Sequence, residues 1–139
     1  MKWVIRSEKE MSNVSRAISP LLKKGDVVAL YGTLGVGKTT FVRSLVSELV
    51  QKEIDVPSPT FTLVQSYGTP NFELYHFDCY RLKSPEEAYE IGIEEAFYDG
   101  VSLIEWPDKI GSLLPRKHKS LFFKLLSDGS REITAEGFE

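Results

Sequence analysis

The chain has a single cysteine, Cys79, so no disulfide can form within it, which suits a reducing compartment. No apolar run is long enough to cross a bilayer, and Met1 to Glu10 shows neither the long apolar core nor the cleavage signature of a secretory signal. The expectation is a cytoplasmic protein that does not engage a membrane. Two histidines, His76 and His118, with one cysteine give no zinc-ligand spacing. Positive charge is also short. Lys and Arg number 17 against 20 Asp and Glu, a formal net charge of -3, which argues against a DNA or RNA binder working through a broad basic face. Contact with RNA through a partner protein stays compatible with that balance. Guanine-specific hydrolases read their base with Asn-Lys-x-Asp, and no such run occurs. The letters Asp108-Lys109-Ile110-Gly111 match D-x-x-G only by chance, because Trp106 and Pro107 detach them from the strand they should end.

What remains is ordinary globular material. A hydrophobic fraction of 42% over 139 residues supports one packed core, and there is no repeat, linker or low-complexity segment. Residues 1–139 therefore read as one domain.

The informative stretch is Val27-Val28-Ala29-Leu30-Tyr31 followed by Gly32-Thr33-Leu34-Gly35-Val36-Gly37-Lys38-Thr39. The second part fits G-x-x-x-x-G-K-[ST]. The first part is a β-branched apolar run that predicts a buried strand. After the loop, Phe41, Leu45 and Leu49 fall on one helical face, with Val42 and Val46 beside them. A glycine-rich turn between a strand and a helix can cradle phosphate. Gly32, Gly35 and Gly37 let the backbone approach an anion, the loop amides form a nest, and the helix N-terminus adds unpaired N–H groups. On this reading Lys38 reaches the β- and γ-phosphates and the Thr39 hydroxyl ligates Mg²⁺. The competing reading is a tight turn that binds nothing.

Along the chain, Trp3-Val4-Ile5 predicts a first strand. Ser7 and Glu10 form a capping box for a helix from Glu8 to about Leu22, with Pro20 able to kink or shorten it. Val56-Pro57-Ser58-Pro59-Thr60 predicts an extended loop. Phe61–Tyr67 and Phe72–Asp78 predict a hairpin around Gly68-Thr69-Pro70-Asn71. Ser84-Pro85-Glu86-Glu87 opens a short helix to Ile91, and Ile93–Tyr98 continues after Gly92. Strands follow at Val101–Glu105, Leu121–Leu126 and Arg131–Thr134. The expected fold is α/β: a P-loop NTPase-like, three-layer α/β/α domain with a mixed, mainly parallel central sheet and antiparallel hairpins.

A triphosphatase needs carboxylates near its metal, at the ends of strands beside the loop strand. Asp78 ends Leu74-Tyr75-His76-Phe77, and Glu105 ends Leu103-Ile104. At least one of them is expected to hold metal or position water; a wet surface acid is the alternative for either alone. Thr60, in the proline loop after the loop helix, stands where switch segments sense Mg²⁺ or γ-phosphate; a rigid connector is the alternative. His76 reads first as a structural histidine. Cys79 reads as a core or loop residue, and Trp106, Phe97 and Tyr98 as core. Kinases of this fold need an arginine-rich lid, and no arginine cluster exists; Arg81 and Arg131 stand alone.

Four segments together resemble the TsaE (YjeE) family: Leu30 to Arg43, Val56 to Val64, His76-Phe77-Asp78-Cys79-Tyr80-Arg81-Leu82, and Leu103-Ile104-Glu105-Trp106-Pro107. The resemblance implies an ATPase required for threonylcarbamoylation of the adenosine next to the anticodon in tRNAs reading ANN codons. It implies work with the TsaB–TsaD pair, and contact with tRNA only through that complex. Carried onto this chain, Leu34, Gly35, Val36, Gly37, Lys38, Thr39 and the adjoining Thr40 hold ATP. Thr39 and Glu105 bind Mg²⁺. Lys38, Asp78, Glu105 and Thr60 face the hydrolysed phosphate, and Glu8 and Arg131 touch the nucleotide away from the triphosphate. The chain departs from the family pattern at Thr33, usually Asp, at Val36, usually Ala, and at Ser44, usually Gly. Thr33 keeps a backbone amide but offers no carboxylate. A small-molecule kinase and a non-catalytic nucleotide-binding module are the rival functions.

Overall fold

The computed structural model describes residues 1–33, 35–51, 56 and 63–138. In chain order these form β1 (Lys2–Ile5), α1 (Glu8–Ile18), β2 (Val27–Tyr31), α2 (Lys38–Val50), β3 (Val64–Gly68), β4 (Glu73–Asp78), α3 (Glu87–Glu90), α4 (Ile93–Asp99), β5 (Gly100–Glu105), β6 (Lys119–Leu125) and β7 (Arg131–Glu136). The strands lie in one sheet in the order β1-β7-β6-β2-β5-β4-β3. Its centre, β6-β2-β5-β4, is parallel, and antiparallel partners close both sides.

Strand β2 is central because its sequence allows little else: Val27 to Leu30 are all buried. A strand covered on both faces needs a continuous apolar run rather than alternation. On one face Val28, Leu30, Leu103 and Leu121 pack against α1 and α2 through Val14, Ile18, Phe41 and Leu45. On the other, Val27, Phe77 and Ile104 meet Ala88 of α3, Ile93 and Ala96 of α4, and Ile110. Each large apolar side chain so buried contributes roughly 1.5–3 kcal/mol. The result is a three-layer α/β/α fold.

Several local features differ from the sequence expectation. Helix α1 starts as predicted, with Glu10 N donating to Ser7 Oγ at 3.2 Å, but stops at Ile18. Pro20 has no N–H to continue the ladder, and Ser19–Leu21 tightens into a 3₁₀ turn. Strand β3 begins at Val64, because Leu63 has φ 68°, a left-handed conformation that breaks an extended run; Phe61 and Thr62 lie outside the described residues. Helix α3 is a single turn beginning at Glu87 rather than at Pro85, although Glu87 Oε1 does accept from Ser84 N at 3.2 Å. After β5, Pro107–Leu113 forms two short 3₁₀ turns kinked at Gly111, which has φ 52°, and no periodicity announced them.

Strand β5 starts with a glycine for a steric reason. A Cβ on Gly100 would stand 2.1 Å from Glu73 O and 2.9 Å from Tyr75 Cε2. The obstacle is the backbone of neighbouring β4, which cannot rotate away. Gly100→Ala is expected to lower unfolding free energy by about 1–3 kcal/mol, the usual cost of overpacking, read as a lower urea midpoint.

Candidate functional site

The loop between β2 and α2 has the backbone a phosphate nest requires. Gly35 and Gly37 adopt φ 77° and 105°, which side chains other than glycine's rarely adopt. Gly37 is the residue before α2, and Arg131 Cδ would lie 3.2 Å from any Cβ placed there. Helix α2 begins at Lys38 with no side-chain cap, so its first amides are available to an anion. Val36 is buried and anchors the loop to the core, while Thr33 is exposed. Leu34 lies outside the described residues, as does Thr60 with its proline loop. Ser44, where the family usually has glycine, accepts a hydrogen bond from Ser15 Oγ at 2.9 Å and ties α2 to α1.

Lys38 is the hub. It is only 4% exposed, and its Nζ donates to Gly32 O at 2.6 Å while lying 4.3 Å from the centre of the Trp106 ring. Burial lowers its pKa from the ordinary lysine value, and the charges of Glu105 and then Asp78 oppose that shift. Both carboxylates thus act on the ammonium. Their positions follow from strand register: Leu30 pairs with Glu105, and Glu105 pairs with Asp78. The two acids end adjacent parallel strands level with Leu30, one residue before β2 gives way to the loop, and both are 5% exposed. Neither is the wet strand-end acid that was the alternative reading.

Sequence reasoning missed two partners of this group. His76, buried completely, approaches Glu105 Oε2 with Nε2 at 2.6 Å. Its spacing two residues before Asp78 was the available signal, since alternate strand residues share a face. Trp106 packs partly against the core as expected, yet its ring also covers the Lys38 ammonium. Cys79 is buried, and its thiol is pushed up to about 12 by burial, with Asp78 and Glu105 adding to the shift.

Space lies on both sides of the loop. A cavity of about 520 Å³ on one side is walled by Glu8 and Met11 of α1, Gly37 and Thr40 at the start of α2, and Ser130 and Arg131 of the β6–β7 hairpin. The two residues carried over from the family for contacts away from the triphosphate, Glu8 and Arg131, therefore share one cavity. Arg131 Nη2 is 3.5 Å from Gly35 O, and its buried Nε has no partner among the described residues, so a donor is available to a ligand there. The hairpin turn is fixed by Asp128, whose carboxylate accepts from Ser130 N at 2.9 Å and from the Ser130 hydroxyl. Those bonds hold its pKa below the usual carboxylate value. On the other side, a cavity of about 250 Å³ lies between the loop, Lys38 and Trp106-Pro107-Asp108.

The family model described as "Threonylcarbamoyl adenosine biosynthesis protein TsaE" matches residues 5–133. The chain belongs to the TsaE family. Among curated relatives, the tRNA threonylcarbamoyladenosine biosynthesis protein TsaE of Rickettsia bellii is 45% identical over 92% of this chain and 89% of its own length. The TsaE of Treponema pallidum is 42% identical over 96% and 98%. The crystal structure of Bacillus subtilis YdiB superposes with a TM-score of 0.79 at 32% identity, covering 97% of this chain and 83% of that one. The TsaE family serves threonylcarbamoyladenosine biosynthesis, and its P-loop fold suits nucleotide binding.

The donors at the TsaE site fit a magnesium ion in kind. Among the described residues no three His, Cys, Asp or Glu side chains gather into a closed cage. The site offers a hydroxyl, Thr39, in the first turn of α2, and two strand-end carboxylates. Mg²⁺ characteristically takes one or two carboxylates, keeps waters and completes its shell with phosphate oxygens. No helix among the described residues is long and apolar enough to cross a membrane.

The burial of Cys79 gives a direct check on the packing beneath the acids. With a thiol pKa of about 12, only about one part in 10⁴ is thiolate at pH 8. A thiol-specific chromogenic disulfide reagent is expected to leave Cys79 unmodified in the native protein and to label it stoichiometrically in denaturant. Rapid native labelling would show that the carboxylate layer is open to solvent.

Proposed function

We propose that this member of the TsaE family is an Mg²⁺-dependent ATPase of the cytoplasm that supports the TsaB–TsaD pair in threonylcarbamoylation of adenosine next to the anticodon of tRNAs reading ANN codons. The observation that carries the reading is the convergence of Lys38, Asp78 and Glu105 at the mouth of a glycine loop. Three charged side chains meeting inside a buried layer are costly unless a charged ligand uses them.

In this mechanism the amides of Gly35 to Thr39 hold the β- and γ-phosphates, and Lys38 leaves Gly32 O to neutralise their charge. Thr39 and Glu105 would hold Mg²⁺, which would supply charge neutralisation to the triphosphate. Asp78, beside Glu105 and under the loop, orients the attacking water. The adenosine occupies the larger cavity, with Arg131 donating from Nε and Glu8 and Thr40 lining the wall. Thr60 belongs to the switch-like loop that senses the terminal phosphate. The smaller cavity next to Lys38 gives access to the reacting end.

Arg131 lines the larger cavity, and no arginine among the described residues lines the smaller one. Hydrolysis by the isolated protein is therefore expected to be slow, and the TsaB–TsaD complex is expected to complete the site. Adding purified TsaB–TsaD and tRNA should raise ATP turnover by roughly tenfold or more, since a stabilising cation at the γ-phosphate carries much of this chemistry. Turnover that is already fast alone and unmoved by the pair would sink the reading. Phosphate transfer to an added metabolite would favour the kinase instead. ATP binding without turnover even in the complex would favour the non-catalytic module.

Two substitutions separate the halves of the site. Lys38→Ala is expected to abolish turnover and tRNA modification while leaving assembly with TsaB–TsaD intact, measured by gel filtration and modification assay. Arg131→Ala is expected to weaken ADP binding about tenfold, the loss of one charge-assisted contact, but to leave inorganic tripolyphosphate binding unchanged. Calorimetry with both ligands distinguishes that from a loss of the whole site.

A further inference from the structure

The imidazole of His76 is buried between the core and the site, and the roles above leave it unused. Its strand position places it on the face shared by Leu74 and Asp78, and its register partner Leu103 precedes Glu105 by two residues on β5. Nε2 meets Glu105 Oε2 at 2.6 Å across that strand pair, and both side chains are almost wholly buried. The carboxylate can only accept, so Nε2 donates. The other ring nitrogen, Nδ1, is buried with no partner among the described residues. The contact with Glu105 is thus the polar interaction that fixes the ring.

We propose that His76 is a positioning residue, which clamps Glu105 Oε2 so that Oε1 is the oxygen left for the metal ion. This rests on the assignment of Glu105 to Mg²⁺ above. A glutamate has three side-chain torsions, and an unrestrained one would present either oxygen or turn toward the Lys38 ammonium instead. A hydrogen bond from a buried ring removes that freedom. Ligating carboxylates are commonly held this way, and loss of the holding partner typically costs 10–100-fold in metal affinity. The same restraint would serve hydrolysis, because a carboxylate free to turn would not hold the ion in one place.

The test measures ADP affinity by calorimetry across a Mg²⁺ titration, with urea unfolding as the check on folding. His76→Leu is expected to raise the Mg²⁺ concentration for half-maximal effect about tenfold or more, with ADP affinity in EDTA unchanged. His76→Gln, whose amide nitrogen reaches the place of Nε2, is expected to restore the wild-type titration. His76→Asn, whose amide reaches only the place of Nδ1, is expected to behave like the leucine variant, and it serves if the leucine variant fails to fold. In a Glu105→Ala background the histidine substitutions should add no further change. A wild-type Mg²⁺ response in folded His76→Leu or His76→Asn, while Glu105→Ala loses its response, overturns the clamp but leaves the metal assignment standing. An unchanged response in Glu105→Ala itself overturns the assignment. A shift in His76→Gln as large as in His76→Asn overturns the clamp, because shape rather than the Nε2 bond would then be what matters.

Discussion

An ammonium group removed from water must be compensated where it lies, and this structure is arranged around meeting that demand for Lys38. The effective penalty for burying one such charge is several kcal/mol. The protein offsets it with Gly32 O at 2.6 Å, the face of Trp106 at 4.3 Å, and the charges of Glu105 and Asp78. A desolvated cation on an indole face is worth about 2 kcal/mol. None of these partners is local in sequence except Gly32. Each requires that β2, β5 and β4 end level with one another, which the pairing of Leu30 with Glu105 and of Glu105 with Asp78 provides. A one-residue slip in either strand would send an acid to the opposite face. Such a slip is costly because it would carry the acid into the apolar layer of Val27, Phe77, Ile104 and Ile110, where no cation among the described residues compensates its charge.

The cavity proposed for the nucleoside depends on a different long-range pairing. Strand β1 runs antiparallel to β7, with Ile5 opposite Arg131. Two residues after Ile5, Ser7 caps α1, so Glu8 enters the helix beside the cavity that Arg131, the first residue of β7, also lines. The first and last strands of the chain thereby build one cavity wall. The Arg131 stem can then lie against Gly37, where a Cβ would press on it at 3.2 Å. The loop glycine thus serves both the backbone turn and the approach of an arginine from the far end of the chain.

That contrast explains what could be read from the sequence. The strand–loop–helix unit was legible because its signals are contiguous: a β-branched run, glycines at fixed spacing, then a 3.6-residue apolar period. Strand-end acids were legible because Asp78 and Glu105 each terminate an apolar run. The resemblance to TsaE carried Glu8 and Arg131, whose meeting no local pattern could indicate. The edge pairing of β1 with β7 is set by which edge remains after the hairpins form, and propensity does not encode that. The contact between His76 and Glu105 spans 29 residues and appears only once β4 and β5 are in register. Periodicity carries α1 past Ile18, since Leu21 and Leu22 continue the apolar pattern, and the shortening that Pro20 allowed is what occurs, because it removes a donor that the ladder needs.

Backbone strain is concentrated at the same place as charge. Among the described residues, three other than glycine have positive φ: Gln51, Leu63 and Trp106. Two of them border the carboxylates. Leu63 O accepts from Asp78 N at 3.0 Å, and Trp106 follows Glu105 directly, where Cys79 N donates to Glu105 O at 3.1 Å. A left-handed conformation costs on the order of 1–2 kcal/mol for a bulky residue, so each must be held by its surroundings. At Trp106 the turn does two things an extended residue could not. It ends β5 immediately after the acid, and it swings the indole back over the loop lysine. Extended backbone there would carry the ring along the strand direction, away from Lys38, leaving the ammonium with carbonyl and carboxylates alone. The strain therefore connects the end of β5 with the start of α2, joining the two halves of the site through a single side chain.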